Sequence, residues 1–235
     1  MEDHENLDEV FTTISQCFAP VDESVWNEFT RYARWKSFID GCTDAMCGQD
    51  ATHPELPDFL SDAEIDALHN PPTYEQKQQF AACHFTGGLP ESAMPVESLY
   101  ETWTNRTEEG MLFPQAKGLY GGDAAEYMDA LIESMGLTLP DMFKGCPDHI
   151  AMETDMAALL FRSNLQAQAT SFVAERFKWL TAYRMRLLEI KDNTRFYIGL
   201  IDVLTGIAAT YDVASDVDET STQSGASSPT SAFNV

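Results

Sequence analysis

The stretch GCPDHIAMETDMAALL, residues 145–160, decides the fold. It opens like a helix start and continues into an apolar run. Proline favours the first helical position, because its missing N–H would be unpaired there anyway. Asp148 then falls in the first turn, where a carboxylate gains from the positive end of the helix dipole. His149 falls in the same turn, where a protonated ring is disfavoured. It is tolerated there if neutral, if paired with Asp148, or if Glu153 one turn later engages it. Two readings follow: a helix cap with a hydrogen-bonded histidine, or a polar knob at the mouth of a groove. The helix is expected over 147–165.

The same helical period extends outward in both directions. Leu7, Val10, Phe11, Ile14 and Phe18 follow i, i+3, i+4, i+7 spacing. Asp22 or Ser24 can cap a helix carrying Trp26, Phe29, Ala33 and then Phe38 or Ile39. Prolines 54, 57, 71 and 72 punctuate a looser region with a short helix at 61–68, and Thr73 begins another that runs to Phe85. A clear helix spans 123–135, with Tyr127, Leu131 and Met135 at helical spacing and Gly136 as its stop. Further helices are expected over about 166–190 and 194–213, the last with a wide apolar face. No alternating run with hairpin turns appears. The fold class is therefore all-α, a single helical bundle-like domain over 1–213 with a looser connector at about 87–122. The acidic Ser/Thr-rich tail, 214–235, is expected to be disordered, since it cannot repay its ordering entropy by burial.

Charge narrows the partners. The chain has 14 Lys+Arg against 38 Asp+Glu, a formal net charge of -24 over 235 residues. Such a field repels nucleic acid and anionic membranes and favours a basic peptide. The acidic N-terminus lacks the apolar core of a signal peptide, and no stretch approaches a membrane span, so a cytoplasmic protein is expected. Five scattered cysteines argue against a disulfide framework, and five dispersed histidines lack metal-ligand spacing. No metal or other cofactor is expected. No nucleophile-elbow, zincin or phosphate-loop motif accompanies Asp148 and His149. Met128, Met135, Met142, Met152 and Met156 surround the opening motif, as core or as an adaptable apolar groove. Tyr100 and Trp103 sit among Glu97 and Glu101, either as loop anchors or as aromatic and acidic contacts for a cation.

Together these residues resemble the TorD/DmsD/NarJ family, in PVESLYETW (95–103), in the helix ending at Gly136, and in PDHIAMETDMAALL. The family pattern is Glu-Pro-any-Asp-His, then an aliphatic residue, Ala or Gly, and often Glu and Met. Asp148, His149, Ile150, Ala151, Glu153 and Met156 match it. SFVAERFKWLTAYRMRLLE (171–189) and TRFYIGLIDVLTGI (194–207) are similar to the family's later helices. The pattern is broken where Gly145 stands for the Glu, Cys146 for the Pro and Arg176 for a His of the next helix, while Trp179 lies one position off the family's Trp. The resemblance implies a cytoplasmic chaperone without enzyme activity. It would bind the twin-arginine signal peptide, the apoprotein, or both, of a molybdopterin oxidoreductase catalytic subunit, and assist cofactor insertion before export, with a homodimer among the states that the resemblance implies. The implied peptide-binding residues are Asp148, His149, Glu153, Glu97, Tyr100 and Trp103. An all-α enzyme using Asp148 and His149, such as a nucleotide hydrolase, and a generic acidic helical adaptor are the competing readings.

Overall fold

Helix starts are written in their caps. In the computed structural model, which describes residues 6–47, 60–106 and 116–222, Ser61 and Thr73 each close a capping box. The Ser61 hydroxyl accepts from the Glu64 N–H, while the Glu64 carboxylate takes the Ser61 N–H at 2.9 Å. Thr73 and Gln76 repeat the arrangement. Each box satisfies two amides that a helix start would otherwise leave unpaired.

The described residues form ten α-helices and no sheet. They are α1 (Leu7–Phe18), α2 (Glu23–Phe29), α3 (Tyr32–Cys47), α4 (Asp62–His69), α5 (Tyr74–His84), α6 (Gly122–Ser134), α7 (Ile150–Arg162), α8 (Gln166–Arg176), α9 (Leu180–Leu188) and α10 (Arg195–Thr222). The fold class is all-α, as read from the sequence. Helix α1 lies against α7, and α10 runs beside α3, α4, α8 and α9. Aromatic rings knit these contacts: Phe11 stacks on Phe161 at 5.6 Å, and Tyr197 of α10 stacks on Phe80 of α5 at 4.4 Å.

Two expected helices are broken in two. The segment after Asp22 divides at Thr30–Arg31 into α2 and α3. Trp26 and Trp35 are nine positions apart, so a straight helix would set them about 180° apart. Both are buried, with their rings 6.5 Å from each other. Their indole N–H groups reach one neighbouring segment: Trp26 donates to the Pro72 carbonyl at 3.0 Å and Trp35 to that of Leu68 at 2.7 Å. The break is what turns both inward. The 166–190 segment divides in the same way at 177–179. Phe177, Trp179 and Leu180 are all buried there.

At the other end of the chain, α10 continues to Thr222, past the expected end at Val213. The rest of the tail, 223–235, and the middle of the connector, 107–115, lie outside the described residues. Among the described residues Cys17 and Cys42 are buried, Cys146 is half-buried and Cys83 exposed, all as free thiols. No described helix is long and apolar enough to cross a membrane.

Replacing Trp35 by Phe keeps an aromatic ring but leaves the Leu68 carbonyl without its donor. We expect a loss of about 1–3 kcal/mol or more, seen as a melting temperature lowered by roughly 3–10 °C in calorimetry. An unchanged melting temperature would show that the indole bond does not hold α3 to α4.

Candidate functional site

Helix α7 starts later than the sequence suggests. Its first residue is Ile150 and its N-cap is His149, in extended geometry at φ -74° and ψ 138°. Asp148 therefore lies before the helix rather than in its first turn. The reason is a clasp formed with a segment fifty residues earlier. The Glu97 N–H donates to the Asp148 carbonyl at 3.0 Å, and the Ile150 N–H donates to the Pro95 carbonyl at 2.9 Å. Val96 and His149 thus form an antiparallel bridge. A residue pinned in this extended pairing cannot also take helical dihedrals.

Within the clasp each side chain has its own task. The Asp148 carboxylate accepts the Ser98 N–H through Oδ2 at 2.8 Å, which caps the short 3-10 turn Glu97–Leu99. The His149 ring does not pair with Asp148. Its Nδ1 accepts the Ala151 N–H at 3.1 Å, so that nitrogen carries no proton and the ring is neutral. Burial pushes its pKa down to about 3, and the charge of the buried Lys77 adds to the effect. The cap reading of the histidine is the one this geometry supports. Phe143 packs on the ring at 4.9 Å.

Glu153, one turn into α7, engages Trp179 rather than His149. Its Oε2 accepts the indole N–H at 3.0 Å. The Tyr100 ring stacks on that indole at 5.5 Å and meets Tyr183 edge-on at 5.4 Å. Glu97 pairs with Arg176, the last residue of α8. The guanidinium of Arg176 also lies over the Tyr127 ring, 4.8 Å from its centre. Five of the six sequence-derived residues, Glu97, Tyr100, Asp148, His149 and Glu153, are thus joined: Trp179 links Glu153 to Tyr100, Arg176 pairs with Glu97, and the backbone bonds Glu97 N–H to Asp148, Tyr100 N–H to Glu97 and Glu153 N–H to His149 connect the rest. Trp103 is anchored separately, at the start of α6. Its N–H donates to Ala116 at 2.8 Å and its carbonyl accepts from Asp123 at 2.9 Å.

The carboxylates are deep. Asp148 and Glu153 are both 0% exposed. Burial raises the pKa of each, and for Glu153 the charge of Asp148 pushes in the same direction. Asp148 Oδ1 and Glu153 Oε1 are buried with no hydrogen-bond partner, and so is the Nε of Arg176. Beside this cluster, the outer face of α7 borders a cleft of about 140 Å³ lined by Ile132, Leu137, Pro140, Met152, Met156 and Leu159, with Thr138 and Asp155 as its polar members. Of the five methionines near the motif, Met152 and Met156 line this cleft, Met142 is exposed, and Met128 is fully buried. No group of His, Cys, Asp and Glu among the described residues could hold a metal ion.

Sequence reasoning missed four participants: Tyr127, Ser98, Arg176 and Trp179. Tyr127 stands out in the sequence only by its helical spacing with Leu131 and Met135. The buried residues of α6 are Ala125, Met128 and Ile132, and Tyr127 is 42% exposed. Ser98 left no signal beyond its place in PVESLYETW. Arg176 was visible only as a departure from the family pattern.

A sequence model of one protein family, described as "Nitrate reductase delta subunit", matches residues 48–191. The chain belongs to this family. It sits within the TorD/DmsD/NarJ group of chaperones for molybdoenzyme maturation, which act with molybdoenzyme catalytic subunits. No protein of curated function matches the chain. The delta-subunit match contains all six candidate residues, together with Arg176 and Trp179.

The shifted groups give the fold an opposed pH dependence. Glu153 has a folded pKa above its unfolded value, so its contribution is full below the unfolded value near 4.5 and is lost as pH rises through the folded one. His149 has a folded pKa lowered from 6.5 to about 3, so its contribution is full above 6.5 and is lost as pH falls towards 3. We expect Glu153→Gln to reduce the stability loss on the alkaline side, as measured by urea denaturation across pH. His149→Asn keeps a capping acceptor and should remove on the order of a few kcal/mol of acid-side dependence. Unchanged pH profiles in both variants would contradict these assignments.

Proposed function

We propose that this protein is a cytoplasmic maturation chaperone that binds the arginine-containing leader of a molybdopterin oxidoreductase precursor. It holds the apoprotein while the molybdenum cofactor is inserted, before any export. The observation that carries this reading is the pair of buried acceptor oxygens, Asp148 Oδ1 and Glu153 Oε1, that have no donor. A carboxylate removed from water at 0% exposure is costly unless donors reach it, and a guanidinium brings five. Family membership supplies the client class. The net charge of -24 would steer a basic segment to the surface. The cleft along α7, with Asp155 on its border, suits apolar side chains that follow the arginines.

In this reading Asp148, Glu153 and Glu97 take the cationic groups. His149 keeps the start of α7 in place as a neutral cap, and Tyr100 stacks over the indole that holds Glu153. Trp103 contributes from the neighbouring start of α6, as an aromatic edge to the same peptide. Binding brings donors to oxygens that lack them, which repays part of the cost of burying those carboxylates.

Calorimetry with a synthetic leader peptide tests this. A paired-arginine peptide should bind, and its Lys–Lys version should bind at least about tenfold more weakly, because an ammonium cannot form the bidentate fork. Raising salt from about 50 to 300 mM should weaken binding through screening of the surface charge. Asp148→Asn, which can still accept from Ser98, should weaken it further. Equal affinity for the two peptides, or no binding of either, would rule out arginine recognition at this site.

A further inference from the structure

Arg176 is a resident cation in the acidic cluster. Its terminal N–H group pairs with Glu97 Oε2, and its guanidinium plane faces the Tyr127 ring at 4.8 Å. A carboxylate at the edge and an aromatic ring on the face are the two features by which proteins hold a guanidinium. Yet Arg176 fits the place incompletely. Its Nε is buried with no acceptor, and burial pulls its pKa down to about 10. The Arg176 side chain is 17% exposed and that of Glu97 7%, whereas Tyr127 is 42% exposed, so the seat has a side open to solvent. Arg176 also closes α8 just where the helix breaks before Trp179, so its side chain stands at an element end.

We infer that Glu97 and Tyr127 form a guanidinium seat that Arg176 occupies in cis, and that an arginine of the client's leader takes the seat by displacing it. This rests on the leader-binding reading above. A tethered arginine offers Glu97 one N–H group and strands another. An incoming arginine is free to align a whole edge with the carboxylate and make two parallel bonds. The displaced Arg176 recovers its hydration, so exchange costs less than filling an empty seat would gain. The resident arginine also sets a threshold against a passing lysine. An ammonium has neither the flat face for Tyr127 nor the fork for Glu97, and must still evict a group that has both.

Three measurements on the full chain test the exchange. Arg176→Ala leaves Glu97 buried and unpaired, and should lower the melting temperature by on the order of 10 °C. Guanidinium chloride at about 20 mM should restore about 3 °C or more of that loss, compared with equal urea or sodium chloride, and should not raise the wild type. The Glu97→Gln/Arg176→Ala double variant, which leaves no unpaired charge, should show no rescue. The paired-arginine peptide should bind Arg176→Ala on the order of tenfold more tightly than wild type, because no competitor remains. Arg176→Gln, which keeps a donor towards Glu97, should show the same gain and serves where the alanine variant does not fold. Absence of rescue, with peptide affinity unchanged or weakened in both variants, overturns the seat. Rescue without a gain in affinity places the client's arginine elsewhere and overturns the exchange. In both cases continued binding of the peptide by wild type leaves the leader-binding reading intact, and its loss in wild type overturns that reading.

Discussion

The clasp between residues 95–98 and 148–150 sets the rest of the site. Three hydrogen bonds make it: Ile150 N–H to Pro95, Glu97 N–H to the Asp148 carbonyl, and Ser98 N–H to the Asp148 carboxylate. Each is worth only about 0.5–1.5 kcal/mol net, but together they fix where α7 begins. A helix turns 100° per residue, so moving its first residue would rotate every side chain that follows. With the start at Ile150, the Ala151 carbonyl meets the Ser15 hydroxyl of α1 at 2.8 Å, and Glu153 faces Trp179 at 3.0 Å. The same clasp carries Glu97 to where Arg176 can reach it. The site is a consequence of that register.

The clasp also explains why the cluster is short of donors. Asp148 is drawn out of water because its backbone is needed for pairing, and one carboxylate oxygen finds the Ser98 amide while the other finds nothing. Glu153 repeats the pattern, with Trp179 on one oxygen only. In a site kept for stability alone, half-satisfied buried carboxylates are a cost that apolar residues of similar volume would avoid. His149 brings no charge to the clasp, since its ring accepts the Ala151 N–H and stays neutral.

Much of the fold was legible in the sequence. The 3.6-residue period and the absence of hairpin signals established the fold class, and the starts near Ser61 and Thr73 were read correctly, each closed in the structure by a capping box with Glu64 or Gln76. The two helix breaks were not legible. Neither Thr30–Arg31 nor 177–179 contains a glycine or proline, and the first is imposed by Trp26 and Trp35, which must both turn inward. The start of α7 was misplaced for a related reason: Pro147 suits a first helical turn locally, but pairing with a segment fifty residues away overrides that preference. For the site, residue types pointed to Asp148, His149 and Glu153, because acids and a histidine beside a helix start are conspicuous. Arg176 and Trp179 were invisible as partners, since they meet Glu97 and Glu153 across 79 and 26 positions of sequence.

Two of the departures from the family pattern act in the same direction. Gly145 adopts φ +91°, a left-handed conformation in which a glutamate would be strained, so the turn into the clasp is made without a carboxylate there. Arg176, standing for a histidine, adds a permanent guanidinium. Relative to the pattern that the chain resembles, the cluster has one acid fewer and one fixed cation more. Local charge is then a weak basis for attracting a basic segment, and the work divides. In the proposed binding the -24 surface would account for encounter, which is long-ranged and screened by salt. For the proposed leader peptide, discrimination between arginine and lysine would fall to short-range geometry, at a carboxylate and an aromatic ring already shaped around a guanidinium.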